Sequence, residues 1–287
     1  MVGFHPSVLH VWNTAGVACT LAKWANKLYG AHTEVYAMEK HNRFGHLTYG
    51  EPCPNEHFQY RVIQNIPNFD IVHLHEFDAF ANKIKKFYPE KPLVLHYHGS
   101  DIRGLWRRKR RHWEHADAIL VSTISLLDGA PEEAMYLPNP IPTDLFYPNP
   151  HPNEVDPNSA LTFRHGAVDV AKKLAEERGL QLSVFPRNRL FPEMPDLLRQ
   201  FNWYIDTKRK DGVLLCRSGG SGSLTGLEAL ACGLNVINSD GDVRWGLPEE
   251  HRAENVVKAL HQIYSGLSTN LHGVEDRPSG TTSILSL

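Results

Sequence analysis

Residues 217–226 read R-S-G-G-S-G-S-L-T-G and run directly into L-E-A-L-A-C-G. Glycines let backbone N–H groups come close to a ligand. A helix starting here would aim unpaired N–H groups, and the positive end of its dipole, at whatever lies in the turn, which suits an anion. A diphosphate meets that requirement, and each charge-assisted hydrogen bond to it is worth roughly 1.5–3 kcal/mol. Thr225 and Glu228 also have the spacing of a capping box, in which the glutamate satisfies backbone donors and no ligand is implied. No lysine stands where a P-loop needs one.

A second set of reactive side chains is imidazole. His73 and His75 alternate along one β-prone run, and His96 and His98 along another. Side chains two apart in a strand share a face. Two such pairs on neighbouring strands have the donors for a metal site, or they are hydrogen-bonded core residues; the second reading is preferred for His73 and His96. His98 stands at a strand end in H-G-S-D-I-R, where an imidazole can give or take a proton near pH 7. Asp101 and Arg103 in the same turn would orient it or form a surface ion pair. Asp240-Gly241-Asp242 has D-x-D spacing, yet D-G is a common turn dipeptide, and no metal is expected. Residues 106–113, W-R-R-K-R-R-H-W, put five cations between tryptophans. Three readings are ordered by preference. The first is a solvated helix face with the tryptophans inward. The second is contact with anionic lipid through Arg107 to Arg111, at about 1 kcal/mol per charge. The third is nucleic-acid contact.

These groups need a scaffold, and the chain alternates strand and helix patterns. Strands are expected at 7–12, 34–38, 70–75, 92–98, 118–122 and 135–137, with helices at 17–28, 79–87 and 105–115. Gly30 reads as the stop of the first helix. Residues 138–157 are rich in Pro and Asn and read as an inter-domain linker. Beyond them helices are expected at 168–178, 195–201, 225–232 and 254–264, and strands at 180–185, 203–206 and 235–238. The alternation argues for parallel sheets covered on both faces. The expected units are residues 1–148, residues 149–268 and a mobile tail at 269–287. In open α/β sheets ligands bind beyond the carboxyl ends of the strands, so residues just past each strand are the ones to inspect.

Composition narrows the function class. Thirty Lys+Arg against 32 Asp+Glu leave a net charge of −2, which argues against a globally basic nucleic-acid binder. No run of 18 apolar residues and no signal-peptide pattern is visible. The four cysteines, Cys19, Cys53, Cys216 and Cys232, show neither disulfide nor zinc spacing. A reducing cytoplasm is the expected compartment, with a peripheral station at the inner membrane face if the basic run meets lipid.

T-G-L-E-A-L-A-C-G-L-N-V-I resembles the C-terminal signature of GT-B fold glycosyltransferases, in particular glycosyltransferase family four. N-T-A-G-V-A, D-I-V-H-L-H, L-V-L-H-Y-H-G-S-D-I-R and Y-L-P-N-P-I resemble the N-terminal elements of that family in the same order. The resemblance covers roughly residues 8–262. It implies two facing Rossmann-like α/β domains of GT-B type with parallel sheets, the first binding an acceptor and the second a nucleotide-sugar. It further implies retention of anomeric configuration, no cofactor and no metal. Glu228 would hold the ribose hydroxyls, with Thr225, Gly226 and Leu227 beside the phosphates and Arg217 at the mouth of the turn. Gly16, Arg103 and Asn139 would line the substrate crevice, with His98 and Asp101 at the reacting sugar. The acceptor would be a glycan or a lipid-linked hydroxyl, and nucleic acid is not an expected partner. The family carries a further glutamate eight positions before the one matched by Glu228, where this chain has Gly220. For the family's phosphate-binding Arg–Lys pair, Arg164, Lys172 and Arg187 are candidates. Two alternatives stay open: a nucleotide-sugar epimerase, and a degenerate GT-B-like binding or scaffold protein.

Overall fold

A computed structural model describes residues 5–210, 213–215 and 222–271. Arg217, Gly220 and residues 272–287 of the expected tail lie outside the described residues, while residues 269–271 belong to the last helix. The first half contains β1 (Val8–Val11), α1 (Val17–Tyr29), β2 (Thr33–Met38), β3 (Glu51–Cys53), α2 (Phe58–Asn65), β4 (Ile71–His75), α3 (Ala81–Phe87), β5 (Leu93–Tyr97), α4 (Trp106–Trp113), β6 (Ala118–Val121) and β7 (Ala134–Tyr136). The strands form one sheet in the order β3-β2-β1-β4-β5-β6-β7, all parallel. α1 stops where expected, because Gly30 takes φ +60° and donates its N–H to the Asn26 carbonyl.

The second half contains β8 (Ser159–Phe163), α5 (Val168–Glu176), β9 (Gln181–Phe185), α6 (Met194–Leu198), β10 (Trp203–Asp206), β11 (Lys208–Lys210), β12 (Val213–Leu215), α7 (Leu224–Ala231), β13 (Asn235–Asn238), β14 (Val243–Arg244) and α8 (Ala253–Leu271). Its main sheet runs β14-β13-β10-β8-β9. The sheet is mixed, which corrects the expectation of parallel strands throughout. Asn238 Oδ1 accepts from the N–H groups of Asp240 and Asp242 at 2.9 and 3.0 Å. That turn sends the two residues of β14 back antiparallel to β13, so D-G-D shapes a hairpin. β8, the strand beside β10, was hidden in the sequence behind the proline run. Nor is that run a free linker: Ile141 and Phe146 are buried in the core of the second half.

α8 decides how the halves join. Ala253, Val256, Val257, Leu260 and Tyr264 make an apolar stripe at helical spacing. It packs not on the second sheet but on the first, against Val8, Ile71, Val94 and Leu120 and against α1. The remaining face of the first sheet, with Leu9, Val72, Leu74 and Leu95, is covered by α2, α3 and α4 through Phe58, Ile84 and Trp106. The chain therefore crosses between halves twice. The two crossings pair: Ile141 N–H donates to the His251 carbonyl at 2.8 Å, and Ala253 N–H to the Ile141 carbonyl at 3.1 Å.

Candidate active site

Both sheets reverse their strand order next to their first strand. In the first sheet this switch lies between β1 and β4, and the chain just beyond it is strained. Among non-glycine residues, Trp12, Ala15 and Glu76 have φ of +74°, +47° and +60°. Left-handed non-glycine conformations cost about 1–3 kcal/mol each and gather at functional sites. Gly16 follows with φ +84°, and a Cβ there would lie 3.7 Å from Phe191 of the second half. Glu76 sits among these residues, and burial with the nearby Asp101 carboxyl raises it to about 7, against the pull of Thr14 and Lys109. Sequence reading missed Glu76; its signal was its place directly after β4.

In the second sheet the switch lies between β8 and β10. Leu161 pairs with Tyr204 and Phe163 with Phe185, which aligns the ends of β10, β8 and β9. His165, Arg187 and Lys208 each stand two residues past those aligned ends, and side chains two apart share a face. Gly166 is required here, because a Cβ would fall 2.3 Å from the Thr207 carbonyl oxygen. Burial lowers His165 to about 4, and Arg187 and Lys208 push the same way. Glu228, on α7 and 5% exposed, is raised to about 8 by burial, with Arg187 and Lys208 opposing. Of the three expected phosphate-binding cations, Arg187 alone stands with Lys208 in this field. Arg164 is one residue off the aligned level and its N–H extends the ladder to Phe185.

Arg187 also belongs to the other side of the crevice. It lies over the Phe44 ring, 5.9 Å from the centroid. It adds to the burial that lowers His46 to about 4. The two halves touch here, the Phe191 N–H donating to the Phe44 carbonyl at 2.7 Å.

The start of α7 differs from the capping box expected at Thr225 and Glu228. Ser223 is the cap: its Oγ accepts from the Gly226 N–H at 3.0 Å. The Ser223 N–H and hydroxyl both donate to the buried Asp206 carboxylate, at 2.9 and 2.7 Å. A carboxylate thus already sits at the positive end of this helix. A Cβ on Gly226 would come within 2.5 Å of Asp206 Oδ2, so only glycine fits. The N–H groups of Gly226 and Leu227 are both taken by Ser223, while Thr225 is buried beside them.

At the end of β5, Asp101 accepts from the His98 N–H at 3.0 Å and the Gly99 N–H at 2.6 Å. It clamps the H-G-S-D turn. Arg103 does not join it; Arg103 is exposed and reaches Ser125 Oγ at 3.0 Å. Burial lowers His98 to about 3, with the Asn139 side chain pulling the other way. Burial thus favours the neutral imidazole. Asn139 also offers its carbonyl to His251 Nδ1 at 3.0 Å, tying the linker to the returning chain. Cys19, Cys53 and Cys232 are buried and free.

α4 carries the basic run with its tryptophans inward. Trp106 donates its indole N–H to the Leu126 carbonyl and Trp113 to the Trp106 carbonyl, both at 2.8 Å. Lys109 turns inward to Asp78 at 2.9 Å. Arg107, Arg108, Arg110 and Arg111 are exposed, Arg110 beside Glu114 at 3.4 Å. Among the described residues no helix is long and apolar enough to cross a membrane.

The sequence matches no protein-family model and no curated protein at a significant level. The structure is similar to solved ones. An alpha-glucosyltransferase in complex with UDP and a mismatch-containing 13-mer DNA shares 11% identity over 92% of each chain, with a TM-score of 0.56. Sucrose-phosphate synthase from Thermosynechococcus elongatus shares 10% identity over 91% of this chain and 90% of its own, at a TM-score of 0.50. UDP-N-acetylglucosamine 2-epimerase from Rickettsia bellii shares 11% identity over 95% and 99%, also at 0.50. The fold is of GT-B type. Where the two halves meet, Arg187 lies by Phe44 and His46, and Phe191 lies by Gly16.

Proposed function

We propose that this chain is a retaining glycosyltransferase, similar to glycosyltransferase family four, moving a sugar from a nucleotide donor to a hydroxyl acceptor. One observation carries the reading: a buried glutamate, Glu228, shares its surroundings with two cations, Arg187 and Lys208, at the switch point of the second sheet. A carboxyl group can take both ribose hydroxyls. Two cations neutralise a diphosphate, so side chains and not a metal ion would carry the donor's charge. In this reading residues 149–252 bind the donor and residues 1–148 the acceptor, with α8 holding the halves in register. Gly16 leaves room for the donor between the halves. Glu76 faces the acceptor as a hydrogen-bonding carboxyl. Asp101 clamps the turn that carries His98 to the sugar end of the first sheet. The departing phosphate takes the acceptor proton, so no hydrolase-like carboxylate pair is required. The likeness to the Rickettsia bellii epimerase favours a second reading, nucleotide-sugar epimerisation, which would proceed without any acceptor.

A thermal-shift screen tests the donor site, using uridine, guanosine, adenosine and thymidine diphosphates and their sugars. One base series should stabilise the protein by about 2.7 kcal/mol at 100 times its dissociation constant. No shift with any nucleotide would overturn the transferase and epimerase readings together and leave a binding or scaffold protein.

A lipid-linked acceptor would place α4 near an anionic surface, in the cytoplasm at the inner membrane face. With Trp106 buried and Trp113 packed against the core, Arg107, Arg108, Arg110 and Arg111 remain to make that contact, and it should be electrostatic. The protein is expected to co-float with phosphatidylserine vesicles at low salt and to separate from them at high salt. Replacing the four arginines with glutamate should abolish co-flotation. Equal binding to phosphatidylcholine vesicles would exclude this contact.

A further inference from the structure

The face of the first sheet under α8 carries an uncommon layer. Near the amino ends of the strands it is aliphatic, with Val8, Ile71 and Val94. Toward the carboxyl ends the same face switches to imidazole: His10 on β1, His73 and His75 on β4, His96 on β5 and His98 just beyond. Parallel register sets His10 beside His73 and His75 beside His96. The first four are fully or almost fully buried, and His98 is half-buried at the crevice end.

Their ring nitrogens are in continuous contact. His10 Nδ1 lies 3.0 Å from His75 Nε2, and His75 Nδ1 lies 3.1 Å from His98 Nε2. His73 Nδ1 is 2.6 Å from the Tyr264 hydroxyl of α8. His96 is the exception. It is 0% exposed, and neither of its ring nitrogens has a hydrogen-bond partner among the described residues. Its ring lies 4.1 Å from that of His98 and 5.4 Å from that of His75, centroid to centroid. One nitrogen from each of His75, His96 and His98 falls within 4.8 Å of the other two. Imidazole nitrogens at 2.0–2.1 Å from a tetrahedral zinc ion are separated by about 3.3 Å. The 3.1 Å between His75 and His98 is close to that edge.

We propose that His75, His96 and His98 form a binding site for a borderline divalent transition-metal ion, zinc or an ion of similar preference, with the fourth position toward the crevice. The ligand atoms are His75 Nδ1, His98 Nε2 and one nitrogen of His96. His10 supports the site: its Nδ1 accepts from His75 Nε2–H, which fixes the tautomer that points the His75 Nδ1 lone pair at the ion. His98 binds with its proton on Nδ1, which has no hydrogen-bond partner among the described residues. Three nitrogen donors favour zinc, nickel, cobalt or copper(II) over magnesium or calcium. This inference does not rest on the nucleotide-sugar reading, and its readout is metal content and spectrum.

The test uses the full chain without a histidine tag, stripped with a chelator and dialysed against zinc or cobalt(II). Elemental analysis should find about one ion per chain for a three-histidine site with an open fourth position. Cobalt(II) should develop the intense visible d–d bands of four-coordination, and zinc should bleach them by displacement. His96→Leu should lose at least tenfold in zinc affinity, and its stripped form should melt no lower than stripped wild type, because Leu replaces an imidazole with two unsatisfied nitrogens. If His96→Leu does not fold, His75→Gln provides the same comparison. No uptake by wild type, purely octahedral cobalt spectra, or full affinity in His96→Leu would each overturn the site. A nucleotide thermal shift that persists in stripped protein would separate this site from the donor site.

Discussion

Glu228→Ala should lower affinity for the stabilising nucleotide about 10- to 100-fold, the loss of one or two hydrogen bonds at a charged group of about 1.5–3 kcal/mol. The same change should not unfold the protein. Burial raises Glu228 to about 8, so its carboxyl is held against its preference for charge and is a burden on the free protein near neutral pH. Glu228→Gln keeps the shape and removes that burden. It should melt at or above wild type at pH 8 while binding nucleotide with intermediate strength. Binding weakened without loss of stability is the mark of a ligand-holding group, whereas a capping residue would lose stability and leave affinity alone. Isothermal titration and thermal melts on the three proteins read both quantities. Full nucleotide affinity in Glu228→Ala would remove the donor site from this crevice.

Stability of the metal-stripped protein should rise steeply from pH 4 to about 6.5 and fall gently from there to pH 8. Histidines drive the first limb. Burial lowers His10 to about 3, and His46 and His165 to about 4, while the unfolded chain titrates near 6.5. Between those values the unfolded state binds more protons, so each imidazole contributes stability that is present above pH 6.5 and lost as pH falls. Each tenfold drop in proton affinity corresponds to about 1.4 kcal/mol. The fully buried His10 alone therefore carries a few kcal/mol, a large part of a typical domain's 5–15 kcal/mol. Glu76 and Glu228 act in the opposite direction. Raised to about 7 and about 8, they bind more protons when folded, so their contribution is greatest below pH 4.5 and is lost as pH rises through those values. Two carboxyls do not offset the histidines below pH 6.5, and above it they act alone. Urea unfolding at a series of pH values with chelator present measures the curve. A maximum near pH 4 would mean that the histidine layer is hydrated and charged in the folded protein.

The alternation of strands and helices, the turn at Gly30 and the basic helix were all legible along the chain. Each rests on local periodicity or on a residue whose backbone preference is its own. β8 was lost because the prolines before it masked a short apolar run, and β14 because two residues carry no period. α8 showed its stripe plainly but not its partner. Which sheet a helix covers depends on which face is left bare, a property of the assembled layers. The site divided in the same way. Glu228 was found through its motif, but Lys208 and Glu76 were missed and Arg187 was one candidate among three. Arg164 and His165 are neighbours in the chain, and only the pairing of β8 with β9 and β10 decides which of them shares a level with Arg187 and Lys208. The histidine pairs were visible as i, i+2 patterns on two separate strands. Their assembly with His10 into one layer needed the register of β1, β4 and β5, which is set by contacts more than 20 residues apart and by the burial of the aliphatic residues below them. Periodicity specifies which side of its own strand a residue faces; the strand's neighbours specify what it meets there.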